Sequence, residues 1–298
     1  MKKACVFGGS GFLGSHVADK LSDSGYEVTI FDKDCSLWLR DTQQMIIGDI
    51  LDQDRVDEAV SEADVVYNFA AIADLNAGIR DPIGTMKVNV LGNGTVLEAC
   101  RKNNVKRFVY ASSVYVYSRH GGFYRCSKQA AEHYVEEYAD TYGLDYTILR
   151  YGSLYGPRSD DSNGVYRIIR HALETGTISY SGSEEALREY IHVEDAAQAS
   201  VAILKQEFRN QHIVLTGQEQ LRVEDMLKML AEIIDCKQPV EFKSGDNEAH
   251  YIRTPYSYQP KLGLKYIPPV HIDMGQGLIQ LIENIQAEIT ESQLDRLA

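Results

Sequence analysis

The sequence predicts an α/β protein, a doubly wound parallel sheet accompanied by a smaller α/β lobe. Three observations carry that prediction. Short apolar runs at 3–7, 27–31, 45–50, 63–71, 106–110 and 145–150 are separated by stretches long enough for helices, the alternation that yields crossovers and parallel strands. The run at 63–71 is almost wholly apolar, as a strand covered on both faces must be. After Tyr155, Gly156, Pro157 and Arg158 the regular alternation gives way to shorter elements.

With 298 residues, 44% hydrophobic and 24% charged, the chain has ordinary globular composition. No apolar run approaches the ~20 residues that would span a membrane, and the early glycine at position 8 leaves no room for a signal-peptide core. A cytoplasmic, non-membrane protein is expected. The five cysteines are scattered without a CxxC or Cys/His cluster, so neither metal nor disulfides are expected. A net charge of −13 argues against a nucleic-acid partner. An anionic ligand would need local cations to hold it against the overall field.

The strand at 3–7 runs straight into Gly8, Gly9, Ser10, Gly11, Phe12, Leu13 and Gly14, and a helix is expected over 15–22. In that strand–turn–helix setting, Gly8-x-x-Gly11-x-x-Gly14 lets the backbone approach a pyrophosphate at the positive helix end. The next strand, 27–31, ends in Asp32. A carboxylate about 20 residues past the loop accepts from the adenosine ribose hydroxyls and repels a 2′-phosphate, so NAD is favoured over NADP. Asp49, with Ile50 at the end of the third strand, is placed to reach the adenine amino group. The small Ala70 and Ala71 let a flat cofactor pass close to the fourth strand. A helix over 83–103 contains Asn89, and the strand at 106–110 delivers Ser112 and Ser113 in the loop beyond it.

Tyr124 and Lys128 are four apart on a helix expected to run to about 142, so they share one face. A phenol with a pKa of ~10 is a poor base at neutral pH. A neighbouring ammonium favours the phenolate, and the Ser113 hydroxyl can bond the reacting oxygen. The trio suits moving a proton on and off a sugar hydroxyl. Beyond the strand at 145–150 we expect helices at 165–175, 196–204, 223–234 and about 274–287. Short strands are expected at 178–180 and 240–243, and a seventh main-sheet strand at 212–216.

In this order the motifs resemble the extended short-chain dehydrogenase/reductases, specifically the NAD-dependent nucleotide-sugar epimerase/dehydratase family, over almost the whole chain. They are the glycine turn, Asp32, Asp49, Asn68–Phe69–Ala70–Ala71, Asn89–Val90–Leu91–Gly92, the run Ser112 to Tyr117, and Tyr124-x-x-x-Lys128. Leu149–Arg150–Tyr151, Tyr155–Gly156–Pro157–Arg158 and the run Arg188 to Val193 complete the set. The resemblance implies a Rossmann domain of residues 1–156 with about 189–217, and a substrate lobe of about 157–188 and 218–298. It makes Ser113, Tyr124 and Lys128 catalytic, with Lys128 also on the nicotinamide ribose and Tyr151 at the nicotinamide amide. Arg188 and Arg253 become a diphosphate pair, Ser153 stands where an asparagine usually touches the diphosphate, and Tyr180 stacks on the base. Helices 83–103 and 124–142 become a homodimer interface.

Two further departures shape the functional expectation. The connection from Tyr117 to Tyr124 is short, so the sugar pocket it normally walls is open or shaped for a larger sugar. Val114 and Tyr115 follow Ser113 where 4,6-dehydratases carry an Asp-Glu pair, which counts against elimination of water. The expectation is an NAD-dependent enzyme oxidising C4 of a nucleotide-diphospho-sugar, foremost a 4-epimerase. The alternatives are a dehydrogenase or reductase releasing its product, a 4,6-dehydratase, or a non-catalytic NAD(H)-binding regulator.

Overall fold

The computed structural model describes residues 2–243 and 250–255. Its main sheet has seven strands, all parallel, in the order β11-β6-β5-β4-β1-β2-β3. These are β1 (Lys3–Phe7), β2 (Glu27–Asp32), β3 (Gln43–Ile47), β4 (Val65–Asn68), β5 (Arg107–Ser113), β6 (Tyr146–Tyr151) and β11 (Gln211–Leu215). The connecting helices are α1 (Phe12–Asp23), α2 (Gln53–Val60), α3 (Leu75–Arg80), α4 (Pro82–Met86), α5 (Asn93–Lys102), α6 (Gly122–Tyr142) and α8 (Val193–Ala202). Strand order reverses direction between β1 and β4, the place where a doubly wound sheet opens its ligand crevice.

Alternation along the strands feeds two cores. In β1, Cys5 and Phe7 face a cluster with Val56 and Val60 of α2, Val96 and Leu97 of α5, and Ala131 and Val135 of α6. Ala4 and Val6 face the opposite cluster, with Val17, Ala18 and Leu21 of α1 and Ala196 and Ala197 of α8. Period-2 side chains on a sheet covered on both sides explain why these strands read as unbroken apolar runs. Tyr67, fully buried in the second cluster, donates its hydroxyl to the Ser200 carbonyl at 2.8 Å.

A third cluster gathers Ala172, Ile178, Ala186, Val223, Leu227 and Leu230. It is built from α7 (Gly164–Thr175), α9 (Val223–Ile233) and the parallel pair β8 (Ser179–Ser181) and β13 (Glu241–Lys243). Two more pairs flank it, β7 (Ser153–Tyr155) with β10 (Tyr190–His192), and β9 (Leu187–Arg188) with β12 (Leu221–Arg222). Of these short pairs the sequence anticipated β8 and β13 but not the other four strands.

Several boundaries differ from expectation, each for a local reason. The third strand stops at Ile47, because Gly48 donates to the Asp32 carbonyl and Asp49 folds back on the Leu51 amide at 2.9 Å. β4 ends at Asn68, opposite Phe7, where β1 gives way to the turn at Gly8. β5 instead runs on through Ser113, because β6 continues beside it with Ser112 opposite Arg150 and Ser113 opposite Tyr151. Ser112 and Ser113 are therefore strand residues, not loop residues. The expected helix over 83–103 is interrupted by a π-helical segment at Lys87–Gly92. The helices α2 and α3, capped by Asp52 and Asp74, were not anticipated. The expected helix at 274–287 lies outside the described residues. Among the described residues no helix is long and apolar enough to cross a membrane.

Candidate active site

The glycine turn is made of close approaches. Gly8 has φ 73°, and a Cβ there would stand 2.5 Å from the Ala70 amide nitrogen. A Cβ on Gly14 would meet the Gly8 carbonyl oxygen at 2.2 Å. Helix α1 therefore starts flat against the turn, with Gly11 at its N-cap and no capping side chain. The amides of its first turn remain for an anion, aided by the helix dipole. Phe12 lies at the start of the helix, and Leu13 packs into the second core cluster.

Asp32, closing β2, accepts the Ser10 amide at 3.0 Å and so stands beside this turn. Ala70 and Ala71 are half-buried just past β4, where the Ala70 amide donates to Asn68 Oδ1 at 3.1 Å. Ile50 is buried against Gly92, whose added Cβ would come within 2.7 Å of it. Asp49 is exposed in its turn. A side-chain-free cradle, uncapped helix amides and a carboxylate at the neighbouring strand end fit the pyrophosphate and adenosine ribose of NAD.

The groups expected to react come from β5 and α6. Ser113 ends β5, its Oγ accepting the Tyr115 amide at 3.3 Å, and the same hydroxyl acts on the Tyr124 phenol to lower its pKa. Lys128 donates Nζ to the Ala111 carbonyl at 2.7 Å and lies 4.8 Å from the Tyr110 ring centroid and 5.8 Å from that of Tyr124. Burial pushes the Tyr124 phenol up to about 12, while the Ser113 bond acts in the opposite direction. Burial also pushes Lys128 down to about 7, with Glu132 pulling it back up. A unit charge ~6 Å away at an effective dielectric of ~20 is worth about 3 kcal/mol, or about two pKa units. A protonated Lys128 can thus offset what burial does to Tyr124.

Asn89, a motif residue given no role from sequence, and Glu132, not singled out there, support this trio. Asn89, in the π-helical segment, donates to the Ile72 carbonyl and to Ser127 Oγ, which in turn donates to the Tyr124 carbonyl. Placing that amide needs the extra residue of the π-helical turn. Glu132, one turn beyond Lys128, receives the Ser112 hydroxyl and two nitrogens of Arg150. The i+4 spacing was the only signal available for it.

A cavity of about 810 Å³ opens over Ser113 and Tyr124, lined also by Phe12, Ser153, Tyr180 and Arg188 among others. Arg188 is buried and its guanidinium sits 4.5 Å from the Tyr251 ring centroid. Tyr180 packs edge-on to Phe242. Arg167, Tyr115 and His250 also line the cavity, none of them singled out as a site residue in the sequence. Two expected residues are placed elsewhere. Tyr151 buries its ring in the core and bonds Ser200 Oγ at 2.7 Å. Arg253 is exposed and is not part of the cavity lining.

The family model of the NAD-dependent epimerases/dehydratases matches residues 4–217. The chain belongs to that family. It is an NAD-dependent enzyme of the extended short-chain dehydrogenase/reductase type. It is 28% identical over 300 residues to a putative UDP-glucose 4-epimerase of Methanocaldococcus jannaschii, covering 93% of this chain and 96% of that one. It is 28% identical over 261 residues to a UDP-N-acetyl-alpha-D-glucosaminuronate decarboxylase of Bacillus cytotoxicus, covering 78% and 81%. The structure of UDP-glucuronic acid 4-epimerase from Bacillus cereus, in complex with UDP-glucuronic acid and NAD, is similar at a TM-score of 0.78 and 25% identity, covering 88% of this chain and 95% of that one. The enzyme modifies a nucleotide sugar.

Proposed function

We propose that the enzyme is a 4-epimerase of a nucleotide-diphospho-sugar. The observation that carries the reading is the Ser113–Tyr124–Lys128 arrangement beside a cavity in which, among the described lining residues, no carboxylate neighbours Ser113 in the chain. Among the described lining residues the carboxylate is Asp74, and its Oδ1 is engaged in capping α3 through the Ala77 amide at 2.6 Å. Elimination of water, as in a dehydratase, lacks its proton donor.

In this reading Tyr124 takes the proton of the C4 hydroxyl, while the Ser113 hydroxyl holds the C4 oxygen and charged Lys128 stabilises the phenolate. Gly8, Gly11 and Gly14 would hold the pyrophosphate of NAD and Asp32 its adenosine ribose, and the bound cofactor would supply the acceptor and, once reduced, the source of the C4 hydride. The cavity, about 810 Å³, leaves room for the 4-keto sugar to turn over before Tyr124 returns the proton. Arg188 supports the diphosphate, and the third apolar cluster forms the substrate lobe around it. A homodimer accompanies this reading, since Ile83, Met86 and Leu91 on one helical stretch and Tyr134 on α6 are all exposed.

The deciding experiment incubates NAD-loaded enzyme with UDP-glucose and, separately, with UDP-glucuronic acid. Formation of the C4 epimer without net absorbance at 340 nm supports the reading. Steady NADH accumulation would make it a dehydrogenase, and UDP-glucose and UDP-glucuronic acid both left unchanged would end the 4-epimerase assignment. Sedimentation of the same sample reports the dimer.

A further inference from the structure

The short 118–123 connection leaves one side of the cavity to be walled by something else, and Tyr115 stands there. Its ring packs on Gly121, where φ is 97° and an added Cβ would come within 2.6 Å of Tyr115 Cδ1. It meets Tyr124 edge-on with centroids 6.2 Å apart, and Tyr251 at 4.8 Å. Its hydroxyl lies 2.6 Å from His250 Nδ1. The segment that carries His250 is anchored, because the Leu187 amide donates to the Ile252 carbonyl at 2.7 Å and Arg188 Nη1 donates to the same oxygen. Tyr115, Tyr124 and His250 all line one cavity.

Burial holds the Tyr115 phenol in its protonated form. Burial, with Arg188, Arg167 and His120 nearby and Asp74 opposing them, lowers the pKa of His250. A phenol that keeps its proton donates to Nδ1, which leaves the ring N–H of neutral His250 at Nε2. An N–H donor beside the reacting phenol suits an acceptor oxygen on the sugar. The nucleotide base and the diphosphate have Tyr180 and Arg188 in the same cavity.

Resting on the nucleotide-sugar reading above, we propose that Tyr115 and His250 are a specificity-determining pair, in which Tyr115 orients His250 to donate a hydrogen bond to an oxygen of the hexose. The oxygen is a hydroxyl or a carboxylate, and the two are separated by the probe. A site built to bond a substrate oxygen discriminates strongly against sugars lacking it, because its own donor is then left unpaired.

The test is calorimetric binding of UDP-glucose, UDP-glucuronic acid and UDP to NAD-loaded wild-type enzyme and to Tyr115→Phe, His250→Leu and His250→Gln. Both Tyr115→Phe and His250→Leu are expected to weaken UDP-hexose binding by about five- to twenty-fold, leaving UDP affinity and NAD content unchanged. His250→Gln, which keeps a donor, recovers part of the loss. A larger loss for UDP-glucuronic acid assigns the contact to the carboxylate, and equal losses assign it to a ring hydroxyl. Unchanged hexose binding, or UDP lost in parallel, overturns the pair. Wild-type enzyme that binds UDP but neither hexose also overturns it, whereas wild type that binds no probe overturns the nucleotide-sugar reading beneath it.

Discussion

Lys128 and Glu132 stand one turn apart on α6, both buried, and they hold consecutive residues of β5. Lys128 Nζ donates to the Ala111 carbonyl at 2.7 Å, and Glu132 receives the Ser112 hydroxyl. The helix that carries Tyr124 is thereby tied to the strand just before Ser113. Glu132 also pairs with Arg150, whose Nη2 lies 2.6 Å from Oε2 and also meets His212 Nδ1, while its Nη1 donates to the Tyr117 hydroxyl.

Removing one partner of that ion pair is therefore expected to be expensive. Glu132→Leu leaves the half-buried Arg150 without its carboxylate and the Ser112 hydroxyl without its acceptor, a loss of about 3 kcal/mol. Adding Arg150→Met to Glu132→Leu is expected to restore much of it. Urea unfolding of the three proteins checks this, and a single-variant loss below about 1 kcal/mol would refute the role assigned to the pair.

Lys128 makes stability depend on pH in a definite direction. Its folded pKa, pushed down to about 7, lies below the unfolded value near 10.5. Between these values the unfolded chain binds more protons at this site, so stability rises with pH from about 7 to about 10, by at most ~1.4 kcal/mol per unit. In nucleotide-free protein Lys128→Met is expected to flatten this rise. Thermal melts of both proteins at pH 7 and pH 9.5 would count against it if their difference stayed constant.

Tyr124→Phe removes the proton acceptor while keeping the ring that Tyr115 and Lys128 pack against. Turnover of the nucleotide sugar is expected to fall by roughly 10²–10⁴-fold, with bound NAD retained. Full activity in this variant would remove Tyr124 from the chemistry.

Gly14→Ala tests the cradle. A Cβ 2.2 Å from the Gly8 carbonyl oxygen forces helix and turn apart, at a cost of about 1–3 kcal/mol. The purified variant is expected to carry far less NAD than wild type, read from nucleotide released on denaturation. Gly25→Ala is a poorer control, since Gly25 itself has φ 82°. Gly94→Ala, whose Cβ would meet nothing within 4 Å, is the fitting one.

The order of apolar runs and helical stretches was enough for the parallel sheet, because buried strands and crossover helices each leave a local pattern. The Gly8–Gly14 turn, Asp32 and the Tyr124–Lys128 spacing were likewise legible, since each role demands a residue type at a short, set distance. What the sequence could not reveal depends on which distant segments meet. The pairing of β5 with β6 decided that Ser112 and Ser113 belong to a strand, and the α6–β5 contact decided that Glu132 serves Ser112 and Arg150. Packing against α8 took the Tyr151 hydroxyl to Ser200, although its place at a strand end suggested the cofactor. Most of all, Tyr115 and His250, 135 positions apart, meet only in the folded protein. Local propensity and spacing determined the scaffold and the reacting trio, and long-range packing decided what stands around them.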